Sequence, residues 1–313
     1  MLLHGQQLGK YQILKTLGSG GFGTVYLAKD TWIDKKFAIK VPHRQGADWN
    51  ELLKEPRLLA ALDHKNIVRI VTADRSGDYF FIVMEFIEGE TLELVMEREK
   101  GPLAQPRALN FARQICEGVA HAHRQGVLHR DLRPGNVLVT DGDEVKITDF
   151  GTSRFLEIAE HASTVIGSPP YMAPEQFEGR AVFASDIYSV GVLIYEMMTG
   201  SLPYFSLNPR DIEKMARAGR IVPPRERNRG IPHELDEIIL KALAVDPADR
   251  YQRVEELLAD LATAGEIDHR ASAIEDIRRR LKAREPAAGG YCWNCRKPLH
   301  ARSTVCPFCG EKR

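Results

Sequence analysis

The residues that could do chemistry fall into two groups. The first is His129-Arg130-Asp131-Leu132-Arg133-Pro134-Gly135-Asn136, followed by an apolar stretch that ends in Asp149-Phe150-Gly151. A carboxylate, a guanidinium beside it, and an amide and a second carboxylate further on suit a particular kind of loop. One acid is held near a hydroxyl while the amide and the second acid hold a divalent cation. Taken alone, the segment also reads as a polar turn before a strand. The second group is Cys292, Cys295, Cys306 and Cys309, two C-x2-C turns separated by ten residues. Each turn can aim two thiolates at one ion, and two turns complete a tetrahedral site. Zinc is the expected metal, with iron able to use the same ligands. Four protein ligands make this one structural Zn2+ and leave His300 a bystander.

The elements that must position the first group can be read upstream of it. Tyr11–Leu17 and Thr24–Lys29 read as two strands around Gly18-Ser19-Gly20-Gly21-Phe22-Gly23, a loop open enough for backbone amides to approach phosphate oxygens. A plain hairpin turn needs glycine too. A strand follows these glycines, so this is not a dinucleotide fingerprint. Phe37-Ala38-Ile39-Lys40-Val41 is the next strand, and its lysine reads equally as a solvated edge residue. Tyr79–Phe86 is a buried strand leading into Glu88-Gly89-Glu90-Thr91. From Pro106 to Gln125, Leu109, Ala112, Ile115, Cys116 and Val119 mark one helical face, with Cys116 a small buried hydrophobe. Asp186–Met198 is apolar almost all round and predicts a buried central helix with Asp186 at its start as cap.

In this order the segments resemble the catalytic domain of protein kinases, most closely the bacterial-type serine/threonine kinases, over about 11–264. The glycine loop, Ala38-Ile39-Lys40, His129–Asn136, Asp149-Phe150-Gly151, Met172-Ala173-Pro174-Glu175 and a late Arg250 carry the resemblance. It implies an α+β fold of two lobes, one small and β-rich, the other large and helical. It assigns Asp131 to orient the substrate hydroxyl and accept its proton, with Arg133 beside it. Lys40, paired with Glu55, would grip the nucleotide, and Asn136 and Asp149 would hold Mg2+ (or Mn2+). ATP would lie among Leu17, Gly18, Gly20, Gly21, Gly23, Val25, Ala38, Lys40, Met84, Glu85, Ile87 and Leu138, with Met84 as gatekeeper and Glu85 to Ile87 as hinge. His129, Phe150 and Leu59 would stack as an internal spine, Asp186 would brace the catalytic loop, and Arg250 would pair with Glu175. Ser163 and Thr164 are the candidates for autophosphorylation within a transient homodimer, while Ser153 reads as a solvated loop residue.

Two residues depart from the usual kinase pattern. Pro56 follows Glu55 directly and predicts a kink or a helix that starts near it, which would make the Lys40–Glu55 pair conditional. Arg133 stands where serine/threonine kinases carry lysine and offers a planar fork instead of a point charge. These two leave open a nucleotide-binding scaffold without turnover.

Composition bounds the rest. The chain has 313 residues with 43% hydrophobic content, and its 43 basic residues equal its 43 acidic ones. No global field therefore points to nucleic acid or to a membrane surface. No apolar run reaches the ~18 residues of a membrane span, and Met1–Gln7 lacks signal-peptide blocks. The expectation is a cytoplasmic protein with no membrane partner that acts on protein substrates. After the kinase-like region, 265–290 reads as a linker with a helix at Ala271–Arg284, and 291–313 reads as a zinc ribbon. Arg296, Lys297, Arg302, Lys312 and Arg313 against Glu311 make that ribbon basic. A protein partner is favoured for it, with nucleic acid permitted but not favoured.

Overall fold

Alternation along the N-terminal strands dictates a sheet with two different faces. Strands β1 (Gln7–Leu8), β2 (Tyr11–Gly20), β3 (Gly23–Asp30), β4 (Lys35–Pro42), β5 (Ile70–Ser76) and β6 (Tyr79–Glu85) pair antiparallel in the order β1-β2-β3-β4-β6-β5. On one face Ile13, Tyr26, Phe37, Ile39, Phe81 and Val83 form a closed core. On the other, Ala38, Val68, Phe80, Ile82 and Met84 pack with Val25, Ile87 and Leu138. Lys40 shares the parity of Ala38, so its ammonium belongs to this second face, and β4 sets it opposite Val25 of β3. The computed structural model describes residues 2–21, 23–43, 52–53, 56–57, 59–150, 168–264, 288–300 and 303–312. Glu55, Ser153, Ser163, Thr164 and the expected helix at 271–284 lie outside the described residues.

The glycine loop is more strand-like than the sequence reading has it. β2 runs on through Gly18 and Gly20 to meet β3 at Gly23, with two register shifts along the way. Gly23 is required there. A Cβ would sit 2.5 Å from the Val41 carbonyl oxygen, whereas at Gly18, Gly20 and Gly21 it would meet nothing within 4 Å. Around Pro56, residues 52, 53, 56, 57 and 59 are helical, and the Ala60 N–H donates to the Pro56 carbonyl at 2.8 Å. Pro56 thus lies within helical backbone and its carbonyl accepts a helical bond, while whether the helix bends there falls at residues outside the described ones.

Helices α1 (Leu92–Glu99), α2 (Gln105–Arg124), α3 (Phe183–Thr199), α4 (Pro209–Ala218), α5 (Pro224–Arg227) and α6 (His233–Ala242) build the larger part, together with a helix at 254–264. A small sheet of β7 (Gly89–Thr91), β8 (Val137–Thr140) and β9 (Val145–Ile147) completes it. Fourteen of the seventeen residues of α3 are buried, as an all-round apolar helix must be. The helix starts earlier than its sequence suggests, at Phe183, and the Ser185 hydroxyl accepts the Val182 N–H at 3.0 Å. Asp186 is therefore not the cap, and its carboxylate turns elsewhere. The segment before β5 is clasped to β9: Val68 and Ile147 N–H groups donate to Ile147 and Asn66 carbonyls, each at 2.8 Å. The buried Asn66 amide adds bonds to Gln114 and to the Val145 carbonyl.

The chain divides into two compact units, Met1–Ala264 and Gly265–Arg313. In the second, β10 (Ala288–Tyr291) and β11 (Pro298–His300) form a hairpin, and Cys292, Leu299 and Cys306 are its buried core.

Candidate active site

The His129–Asn136 loop is held from beneath. Asp186 is 1% exposed and accepts the His129 and Arg130 N–H groups and His123 Nε2, each at 2.8 Å. Burial alone would push its carboxyl up. The His123 bond, the two imidazoles and the loop amides outweigh that and hold it below the ordinary aspartate range. This grip maintains Arg130 at φ +70°, a conformation that non-glycine residues adopt rarely. His129, wholly buried, meets the Thr148 carbonyl through Nε2 at 3.0 Å and packs its ring 4.5 Å from Phe150. Leu59 packs against the same core cluster as Phe150.

Above this base the functional side chains converge. Pro134–Asn136 form one turn of 3-10 helix that brings the Asn136 amide under Asp131. Its NH2 donates to the Asp131 carbonyl at 2.8 Å and to Asp131 Oδ2 at 3.2 Å. The Ser168 N–H donates to Asp131 Oδ1 at 3.2 Å, and Gln176 ties the same segment to the Arg130 carbonyl at 2.9 Å. The Thr148 N–H donates to the Asn136 carbonyl, fixing the start of Asp149-Phe150. Asp149, at φ +63°, faces Lys40 of β4 across the cleft, with Oδ1 and Nζ 2.6 Å apart. A small cavity of about 30 Å³ is lined by that pair together with Leu59, Ile82, Met84 and Phe150.

The residues expected around a nucleotide are partly assembled. Val25, Ala38, Met84, Ile87 and Leu138 share one apolar cluster, three from the sheet and two from the segments below it. Leu17 lies at the rim, 42% exposed. The Glu85 side chain pairs with Lys146 at 2.7 Å and caps the Arg69 N–H. Arg133 does something its sequence did not reveal. Its guanidinium lies across Gly135, where a Cβ would come within 2.8–2.9 Å of it, and its Nη1 is 3.7 Å from Glu93 of α1. Glu175 and Arg250 form a two-pronged pair at 2.7 and 2.8 Å, with Ser185 donating to Glu175. Cys116 is wholly buried in the core around α2, as a small hydrophobe would be, and that burial pushes its thiol up to about 12.

The four expected metal ligands of the ribbon also converge. Their Sγ atoms lie within 4.8 Å of one another, with Cys292–Cys309 and Cys295–Cys306 at 3.6 Å. A tetrahedron with Zn–S bonds of about 2.3 Å has S–S edges of about 3.8 Å, so the donor set fits zinc. Two matching knuckles hold the thiols. Arg296 and Gly310 N–H groups return to the Cys292 and Cys306 carbonyls at 2.9 Å, and both residues have positive φ.

Sequence reasoning missed the Asn66–Gln114 clasp, His123 as the partner of Asp186, and Glu93 as the partner of Arg133. All three join residues far apart in the chain, and none carries a local signal.

A fold of this kind, with a lysine on the sheet facing an Asp-Phe pair over a braced His-Arg-Asp loop, defines a protein kinase domain. The family model described as the protein kinase domain matches residues 11–261, and the chain belongs to that family. It is 37% identical over 275 residues to the serine/threonine-protein kinase PrkC of Bacillus subtilis, covering 86% of this chain and 42% of that protein. It is 38% identical to the serine/threonine-protein kinase pkn2 of Myxococcus xanthus, covering 82% of this chain and 32% of that one. Against PknB of Mycolicibacterium smegmatis it is 34% identical, covering 80% and 42%. The chain thus spans about two-fifths or less of the length of these curated relatives. Among the described residues no helix is long and apolar enough to cross a membrane.

Proposed function

We propose that this chain transfers the γ-phosphoryl group of ATP to serine or threonine hydroxyls of proteins, with 11–264 as catalytic domain and 291–313 as a zinc ribbon. The observation that carries the reading is the convergence of Lys40, Asp131, Asn136 and Asp149. Asp131, fixed through Asn136 and the Ser168 amide, is the group to orient an incoming hydroxyl and take its proton. With its NH2 occupied by Asp131, Asn136 offers its Oδ1, and Asp149 its carboxylate, to Mg2+ (or Mn2+), oxygen donors that suit a hard cation. That ion, when bound, neutralises charge on the phosphates. Lys40 is the cation for the nucleotide's α- and β-phosphates, and the second face of the sheet is the seat of the adenine. Glu55 is the proposed partner of Lys40, and Ser163 and Thr164 the proposed autophosphorylation sites in a transient homodimer. The serine/threonine names of the relatives support the acceptor class. A cytoplasmic location is proposed with it, since a four-thiol site that fits zinc suits a reducing compartment.

The test is a radiolabelled-ATP assay on a general acceptor protein with Mg2+. Asp131→Asn should lower transfer by about 10²- to 10⁴-fold, the span of a lost general base, and Lys40→Met should lower it comparably. Equal incorporation by wild type and both variants, or nucleotide binding with no transfer in the wild type, would refute the proposal.

A further inference from the structure

The ribbon leaves in water the side chains that would gain most from burial. Tyr291, Trp293 and Phe308 are 75, 69 and 56% exposed, while its core is Cys292, Leu299 and Cys306. These rings are not left loose. The Trp293 Nε1–H donates to the Lys312 carbonyl at 3.0 Å, and the Lys297 ammonium stands 4.8 Å from the centre of the Phe308 ring. Trp293 lies inside the first C-x2-C turn and Phe308 inside the second. Since the four thiols meet within 4.8 Å, both rings flank the same metal end. Charge has the same bias: residues 291–313 carry Arg296, Lys297, Arg302, Lys312 and Arg313 against Glu311 alone.

One exposed ring pinned to the backbone and another with a lysine beside it match a ligand that presents flat faces and anions at short intervals. We propose that the metal end of the ribbon binds single-stranded nucleic acid, with bases stacking on Trp293 and Phe308 and phosphates meeting Arg296, Lys297 and Lys312. A duplex hides its base faces in its own stack and offers these rings nothing. An acidic peptide would satisfy the charge but leave the pinned rings without flat partners. The inference departs from the protein partner that composition favours. It rests on a metal-loaded ribbon and is independent of phosphoryl transfer.

The test uses the full chain and fluorescence anisotropy of labelled mixed-sequence DNA and RNA strands of about twelve nucleotides, a length within reach of one small stacking site. Zinc content is measured on every variant. Trp293→Ala and Phe308→Ala should each weaken binding by about tenfold or more with zinc retained. Phe308 makes no side-chain hydrogen bond, so its variant keeps the test valid if loss of Trp293 unfolds the ribbon. The log–log salt slope should be near −2, about 0.7 for each of three phosphate contacts. No binding at about 50 mM salt, unchanged affinity in either zinc-loaded variant, equal binding of duplex, or tighter binding of polyglutamate would each overturn the proposal.

Discussion

The catalytic loop and the cysteine ribbon solve the same problem in opposite ways. Each must hold ligating side chains in fixed geometry. In the first, a core of about forty buried residues surrounds α2 and α3, and buried Asp186 grips the backbone from below. In the second, the described residues give a core of only Cys292, Leu299 and Cys306, too few to fix four sulfurs, so on the proposed reading the two knuckles rely on a bound ion. The difference teaches where each site is vulnerable. The kinase site depends on distant buried partners and the ribbon, on the proposed reading, on its metal.

The largest effect should come from removing metal. Chelation is expected to abolish amide protection across 288–312 and leave that of α2 and α3 intact, read by hydrogen exchange. A ribbon still protected without zinc would break the comparison from that side. On the kinase side, Arg250→Met strands the Glu175 carboxylate, whose partner is fully buried, and should cost about 3–5 kcal/mol by denaturant titration. A cost below about 1 kcal/mol would mean that buried pairs are not what holds this part.

Acid sharpens the same point. Burial pushes Glu175 up, but the Arg250 fork and the Ser185 hydroxyl outweigh it and hold the carboxyl low, as the imidazoles and loop amides do for Asp186. Both groups stay ionised in the folded state to lower pH than in the unfolded chain. Their stabilisation is therefore complete above the unfolded range of about pH 4–4.5 and is lost as pH falls through the folded values. The kinase unit's melting temperature should drop below about pH 4.5, and less steeply in Glu175→Gln, which removes one of the two groups. The smallest effect is at the surface. Glu93→Gln breaks a half-exposed pair at 3.7 Å and should change stability by less than about 1 kcal/mol.

Much of this was legible in the chain because the chemistry is local. The Asp131-to-Asn136 spacing spans a single turn, and the strand period puts Lys40 on the face of Ala38. Each C-x2-C turn is self-contained and is legible as such, while the sulfurs of the two turns approach one another across the short hairpin. What stayed hidden is either distant or a matter of which atom wins a bond. Asp186 reads as a helix cap because its position in sequence permits it. The helix starts three residues before it, where the Ser185 hydroxyl accepts the Val182 N–H, and the aspartate turns to a loop nearly sixty residues earlier. Arg133 reads as a neighbour of Asp131, yet the space over Gly135 and the charge of Glu93 draw its fork to one side. The exposure of Trp293 and Phe308 could not be read at all, since aromatic residues in so short a unit suggest a core.

The central claim is that the braced loop performs phosphoryl transfer to hydroxyl side chains. Mass spectrometry of the full chain after incubation with Mg2+ and ATP tests it most directly. The account predicts phosphate on serine or threonine, with Ser163 or Thr164 among the sites, and none in Asp131→Asn. A wild-type chain that stays unmodified and leaves added acceptor protein unmodified, or one modified on tyrosine alone, would contradict it.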